Sequence, residues 1–397
     1  MTTIANARIL TLDPSLGEGQ LGVIERGWIC FKNGRIDEVR AGEPIGSADI
    51  NADGRVLMPA FVDCHTHACW AGDRTDEWAA RLAGASYLEL LEAGGGIMST
   101  VRAVRAASQQ ELADLLLERL RTMLALGTTV VEVKSGYGLS TDDELKMLRA
   151  IADAGERFEG VVVPTACIGH ALDPDVPRER FIRTTIDETL PAVTAEFPGI
   201  AVDAYAEPAA WHLEECLELF DKAAAAGHTC RVHADQFTSM GMVEAALERG
   251  FMSVDHLEAS DTSLLERVAR SETHAVVLPC SGFHVDRRYA DARTLVDHGA
   301  KLCLATNLNP GSAPCPSMPM AIALACRFCG EPPISPEQAI VATTRTPARM
   351  LGLQDRGTLS PGSSADAILL HHHSERELAH TFGANPVERV WVNGAKA

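Results

Sequence analysis

Eight short apolar or β-branched runs, separated by stretches with helical spacing, constrain this chain of 397 residues more than any other feature. The runs are LMPAFVD, GTTVVEVKSG, VVVPTACIGH, IAVDAYAE, TCRVHAD, FMSVDHL, AVVLPCSG and KLCLATN. Between several of them lie segments such as TDDELKMLRAIADAG and LEECLELFDKAAAAG, whose apolar residues recur at helical spacing and which end in glycine. Strand and helix units in this alternation close into a parallel barrel, and eight of them match a (β/α)8 barrel whose site forms at the C-terminal strand ends. A doubly wound open sheet is the alternative, but no glycine-rich phosphate loop follows the first run.

The two ends of the chain have a different texture. GWICFKNGRIDEVRAGE sets an Asn-Gly pair between short alternating runs, a hairpin signature, and the tail carries a second Asn-Gly in WVNGAKA. The predicted architecture is therefore α/β: a distorted (β/α)8 barrel over residues 58–353 beside a small composite β domain built from residues 1–57 and 354–397. A formal charge of −19 argues against nucleic acid and anionic membrane surfaces as partners. The N-terminus has no basic stretch followed by an apolar core, and no run of 18 apolar residues occurs, so the expected location is the cytoplasm. Eleven scattered cysteines, several inside apolar runs, suit buried free thiols in a reducing compartment. The single Cys-x-x-Cys, at Cys326 and Cys329, falls in the helical stretch MAIALACRFCG and reads as core.

The polar residues at the strand ends carry the chemistry. In DCHTH, side-chain alternation turns His65 and His67 the same way, about 6 to 7 Å apart at their Cα atoms, so that both can reach one metal. His233 ends the fifth run and His256 the sixth. Each alone would be a hydrogen-bonded core histidine, but packing does not require four histidines at one end of a barrel. Three imidazoles with an open position are the arrangement by which zinc lowers the pKa of bound water to about 7, which points to a hydrolase.

On these residues the chain resembles the amidohydrolase superfamily and, within it, the imidazolonepropionase family. The stretches that carry the resemblance are PAFVDCHTH, AGDRTDEW, AGGGIMSTVRA, KSGYGLSTDDELKMLRA, RVHADQ, VDHLEASD and NPGS. The resemblance implies metal-dependent hydrolysis of the ring amide of 4-imidazolone-5-propanoate to N-formimino-L-glutamate in histidine breakdown. It implies one zinc or iron ion held by His65, His67 and His233, with position 307 as the fourth protein contact, and His256 polarising the carbonyl under attack. Arg74, Tyr137, His170 and Gln236 would face a small anionic cyclic amide, Gln236 also assisting catalysis, while Asn309, Gly311 and Ser312 would receive its carboxylate end. A homodimer is a further implication. The residues themselves agree for Arg74, because a guanidinium fork is the favoured partner of a carboxylate. The fourth run ends in DAYAE without a lysine, so the bridging modified lysine of two-metal relatives has no candidate there. Lys134, in KSGYGL, is assigned no role.

Asn307 breaks the pattern. The resemblance implies an aspartate there, binding metal and moving the proton from water to the leaving ring nitrogen. An amide oxygen can touch a metal but cannot take a proton near neutral pH, and losing such a base typically costs about 10² to 10⁴ in rate. Asn307 therefore reads as an inactivating replacement, introduced to trap substrate or arisen in a divergent relative. His284 in SGFHVDRRYADAR and the stretch AEPAAWH are further departures, expected near the barrel mouth. They leave room for a hydantoin- or thiohydantoin-type propionate as substrate. A catalytically silent metal-binding ligand sensor is the reading from another class, and it rests on Asn307 alone.

Overall fold

A computed structural model describes residues 1–84 and 95–397. Its central sheet has eight strands in strict chain order: Phe61–Asp63, Thr128–Lys134, Val161–Gly169, Ala201–Ala206, Arg231–Ala234, Ser253–His256, His274–Val277 and Leu302–Leu304. Every neighbouring pair is parallel, and each of the eight apolar runs supplies one strand. Burial on both faces explains the composition: all seven residues of Thr128–Lys134 are buried, as a parallel strand covered by helices demands.

The first and last strands meet just beyond their ends. Asn307 N–H donates to the His65 carbonyl (3.1 Å) and His67 N–H to the Leu308 carbonyl (2.9 Å). Those two bonds close the barrel and lock His65, His67 and Asn307 into one backbone seam. Helices cover the outside. Thr141–Arg157 starts where Ser140 accepts from Asp143 N–H and carries three acidic residues in its first turn, both favourable at a helix N-terminus. Its buried face, including Leu145, Leu148 and Ile151, joins the main apolar core.

A second sheet takes its strands from both chain ends, from Thr2–Leu10 through Val56–Pro59 and from Ala367–Leu370 through Ala395–Lys396. The two ends pair antiparallel where Ala367, Ile368 and Leu369 face Pro59, Met58 and Leu57. Both Asn-Gly pairs are tight turns with positive φ at each residue, Asn33 (51°) and Gly34 (78°), then Asn393 (48°) and Gly394 (74°). That conformation is what a two-residue hairpin loop needs and what Asn-Gly tolerates.

Two local expectations change. The first strand stops at Asp63, so His65 and His67 lie in the chain beyond it and are aimed by the closing seam rather than by strand alternation. The seventh run leaves its strand at Val277 and enters a short helix, Pro279–Val285, with proline in the first turn. AGGGIMSTVRA begins outside the described residues; Gly96 caps helix Ile97–Ala106, which holds the stretch from Ile97 onward. Cys326 lies in helix Met318–Phe328, Cys329 caps it, and all eleven cysteines are free thiols. Among the described residues no helix is long and apolar enough to cross a membrane.

Candidate metal centre and active site

Ligand nitrogens of His65, His67 and His233 lie within 4.8 Å of one another, all three residues buried. Nε2 of His67 faces Nε2 of His233 at 3.1 Å, and Nε2 of His65 is buried without a hydrogen-bond partner among the described residues. The far side of two rings is fixed: His65 Nδ1–H donates to Asp255 Oδ2 (2.6 Å) and His233 Nδ1–H to Asp203 Oδ1 (3.0 Å). A carboxylate on Nδ1 sets the tautomer and leaves Nε2 with a lone pair, the form a metal binds. Burial pushes the His65 imidazole well below its usual range, helped by Lys134, and His67 likewise, helped by His170 and His233. Burial lowers His233 too, against the pull of Asp203, so all three rings favour the neutral form that a metal binds. Two imidazole nitrogens facing at 3.1 Å need a shared proton or a shared cation, and the unpartnered His65 Nε2 beside them favours the cation.

Asn307 belongs to the same seam. Its Nδ2 donates to Ser281 Oγ (3.2 Å), and its Oδ1 is buried without a partner among the described residues. Three nitrogens and one amide oxygen suit zinc or ferrous iron. Cys167, Asp203 and His233 form a second close group, but its donors are engaged. Asp203 Oδ2 accepts from Lys134 Nζ (2.8 Å), and burial with the nearby Asp203 charge raises the Cys167 thiol far above its normal range.

Beneath the histidines is a layer of fully buried charge: Lys134, Arg231, Glu132, Asp203 and Asp255. Burial opposes ionisation of Asp203, yet His233 and Lys134 outweigh it and hold the carboxyl well below its usual range. Asp255 is likewise lowered against the cost of burial, chiefly by Arg231. Asp63 goes the other way, pushed up to about 7 by burial despite hydrogen bonds from Thr306.

Nearer the mouth, the fork of Arg74 is closed on Glu77, Nε to Oε2 at 2.8 Å and Nη2 to Oε1 at 2.5 Å, while Nη1 approaches Thr100 Oγ1 at 3.3 Å. Nη1 also lies where a Cβ on Gly311 would come within 3.1 Å, so glycine there admits the guanidinium. The NPGS loop is bonded to itself: Asn309 Oδ1 accepts from Gly311 N–H (2.9 Å) and Ser312 N–H (2.7 Å), and Nδ2 donates to the Asn307 carbonyl (2.7 Å). The donors that the resemblance assigns to a ligand carboxylate are thus engaged within the loop. His170 stacks on His67 with centroids 4.6 Å apart, and its Nδ1–H donates to the Gly136 carbonyl (2.9 Å). Burial and His233 bring its pKa down to about 4. The Tyr137 ring is 6.0 Å from His67 and 5.2 Å from His170. Gln236 Oε1 accepts from Tyr205 Oη–H (2.8 Å), which turns its amide N–H groups elsewhere. His256 adopts φ 91° and sets Nδ1 3.2 Å from the Glu258 carboxylate, its ring 5.6 Å from His233. His284 is half-buried on helix Pro279–Val285. AEPAAWH is structural: Trp211 is fully buried against Phe181, and Glu207 Oε1 accepts from Phe237 N–H (2.7 Å), anchoring the loop beside Gln236.

Sequence reasoning found the histidines and missed what holds them. Asp203, Asp255, Glu132 and Arg231 were readable as charged residues inside apolar strands. Glu132 and Lys134, like Arg231 and His233, are two apart and so share the barrel-facing side. Tyr205, Glu258 and Ser281 carried no comparable signal.

Residues 78–395 match the amidohydrolase family. A protein of Deinococcus radiodurans named imidazolonepropionase is 42% identical over 380 residues, covering 95% of this chain and 94% of its own. One of Herpetosiphon aurantiacus with the same name is 41% identical, covering 94% and 91%. Solved structures share the fold at lower identity. The 5-methylcytosine deaminase of Klebsiella pneumoniae superposes with a TM-score of 0.77 at 17% identity, covering 100% of this chain and 97% of its own. Atrazine chlorohydrolase of Arthrobacter aurescens TC1, complexed with zinc, gives 0.70 at 18% identity, covering 100% and 95%. The chain therefore belongs to the amidohydrolase family, and within it to the imidazolonepropionase group of hydrolases.

Proposed function

We propose that this protein binds one zinc or ferrous ion through His65, His67 and His233 and is built to open the ring amide of 4-imidazolone-5-propanoate, giving N-formimino-L-glutamate. The observation that carries the reading is the convergence of three neutral imidazoles, two with carboxylate-fixed tautomers, on one end of a barrel whose relatives carry that name. A bound ion of this kind polarises a carbonyl and makes hydroxide available near neutral pH. The chain's own residues do the rest. His256, with Nδ1 toward Glu258, keeps Nε2 for the carbonyl oxygen under attack. Gln236, with Oε1 on Tyr205, offers amide N–H groups to the ring. Nη1 of Arg74 is the guanidinium atom left by the Glu77 fork to meet the ligand carboxylate. At position 307 the amide contributes an oxygen but accepts no proton, so turnover is slow in the present chain.

The closure of Arg74 on Glu77 favours a second reading, a related hydantoin- or thiohydantoin-type ring whose acid group is held less tightly. Hydrolysis of imidazolone propionate by the chain and by Asn307→Asp, beside a panel of such rings, separates the two. An Asn307→Asp protein that holds metal yet opens none of these rings sinks the hydrolase reading of this site and leaves the ligand sensor.

A further inference from the structure

We propose that Glu132, which bonds to none of the three ligand imidazoles, is the positioning residue that gives the site its geometry and the charge a divalent ion needs. The inference rests on the one-metal reading above.

Glu132 reaches each ligand through a short chain of bonds. Its Oε2 accepts from Thr66 N–H (3.1 Å), and its backbone carbonyl accepts from Thr66 Oγ1 (2.6 Å); Thr66 is the residue between His65 and His67. Its Oε1 accepts from Lys134 Nζ (2.9 Å), and Lys134 in turn holds Asp203, the carboxylate behind His233. The same Oε1 lies 3.2 Å from Arg231 Nη1 as an ion pair without hydrogen-bond alignment. Arg231 Nη2 holds Asp255 Oδ2 (2.8 Å), the carboxylate behind His65. One side chain thus underlies the backbone between two ligands and the cations behind two ligand-orienting carboxylates.

Charge gives the arrangement its purpose. The layer holds two cations, Lys134 and Arg231, and three carboxylates, Glu132, Asp203 and Asp255, all fully buried. It therefore holds one more carboxylate than cations beneath the three imidazoles. Without Glu132 the layer has as many cations as carboxylates, each cation paired with one of the remaining two, and no excess of carboxylates is left to offset the incoming ion.

The test is zinc affinity, read by competition with a chromophoric chelator on protein stripped and refilled, so turnover is not involved. Glu132→Gln keeps the shape and the acceptor for Thr66 N–H but removes the charge; zinc should bind about 10- to 100-fold more weakly, the scale for residues that orient metal ligands. Adding Lys134→Met to that variant restores the surplus charge and should recover most of the loss, which a purely structural role would not. Affinity of the single variant within about threefold of the wild type, well short of the usual effect, overturns the proposal, as does a double variant no better than the single. Should Glu132→Gln alone fail to fold, a folded double variant supports the charge account, and two unfolded variants overturn it in favour of packing. A wild-type protein that binds no divalent ion overturns the one-metal reading and this inference with it.

Discussion

Asn307 holds its φ at 55°, in the left-handed region that asparagine tolerates better than most residues. Among the described residues its side chain bonds to Ser281 Oγ, and a serine hydroxyl can accept from an amide or donate to a carboxylate. Asn307→Asp therefore keeps both backbone and partner while restoring a base. It should raise kcat on imidazolone propionate by about 10² or more with a far smaller change in affinity. A rate near 10 s⁻¹, an ordinary enzyme's speed, already present in the asparagine form places the proton shuttle elsewhere. Arg74 is a second residue-scale case. Arg74→Lys breaks the two-point pairing with Glu77 as well as the Nη1 approach to the site, and should weaken ligand binding by about 1 to 3 kcal/mol. An unchanged dissociation constant removes Arg74 from recognition. The three clustered histidines were legible because imidazole is out of place at the end of an apolar run. The self-bonded NPGS loop was not, because whether Asn309 serves a ligand or its own backbone depends on a turn conformation that residue types alone leave open.

Among the elements, the eight strands were legible because both faces are buried, which writes each one as an unbroken apolar run. Their ends were less so. The apolar run continues to His65 although the ladder stops at Asp63, and Pro279, which looks like a breaker, sits in the first helical turn where a missing N–H costs nothing. AEPAAWH was expected near the mouth and follows the end of the fourth strand there, but its tryptophan is core. Trp211 is fully buried, edge-on to Phe181 at 6.4 Å, with Nε1–H on the Ala171 carbonyl (3.4 Å). Trp211→Ala should therefore cost about 3 to 5 kcal/mol of stability through the cavity it leaves. Denaturant unfolding measures it, and a loss under about 1 kcal/mol, the scale of an exposed site, would mean that Trp211 is not part of the packed core.

Over the whole molecule, the two chain ends are tied across the small sheet, with Arg8 Nε on Glu375 Oε2 at 2.8 Å, while all three candidate metal ligands come from the barrel. The barrel's centre concentrates buried imidazoles over a layer with one more carboxylate than cations, an arrangement that favours the folded state only when a cation is shared. The ligands converge only in the folded chain, since His65 and His233 are far apart in sequence, so metal binding must stabilise folding by mass action. At a free zinc concentration about a thousandfold above the dissociation constant that linkage is worth about 4 kcal/mol, a rise in Tm of roughly 5 °C for a chain this long. Stripping the protein with a chelator should lower the melting midpoint by that amount, and zinc should restore it where magnesium does not, because magnesium prefers oxygen ligands to imidazole. Melting curves that coincide with and without zinc mean that the native state binds no ion at His65, His67 and His233, and the hydrolytic reading then loses its metal.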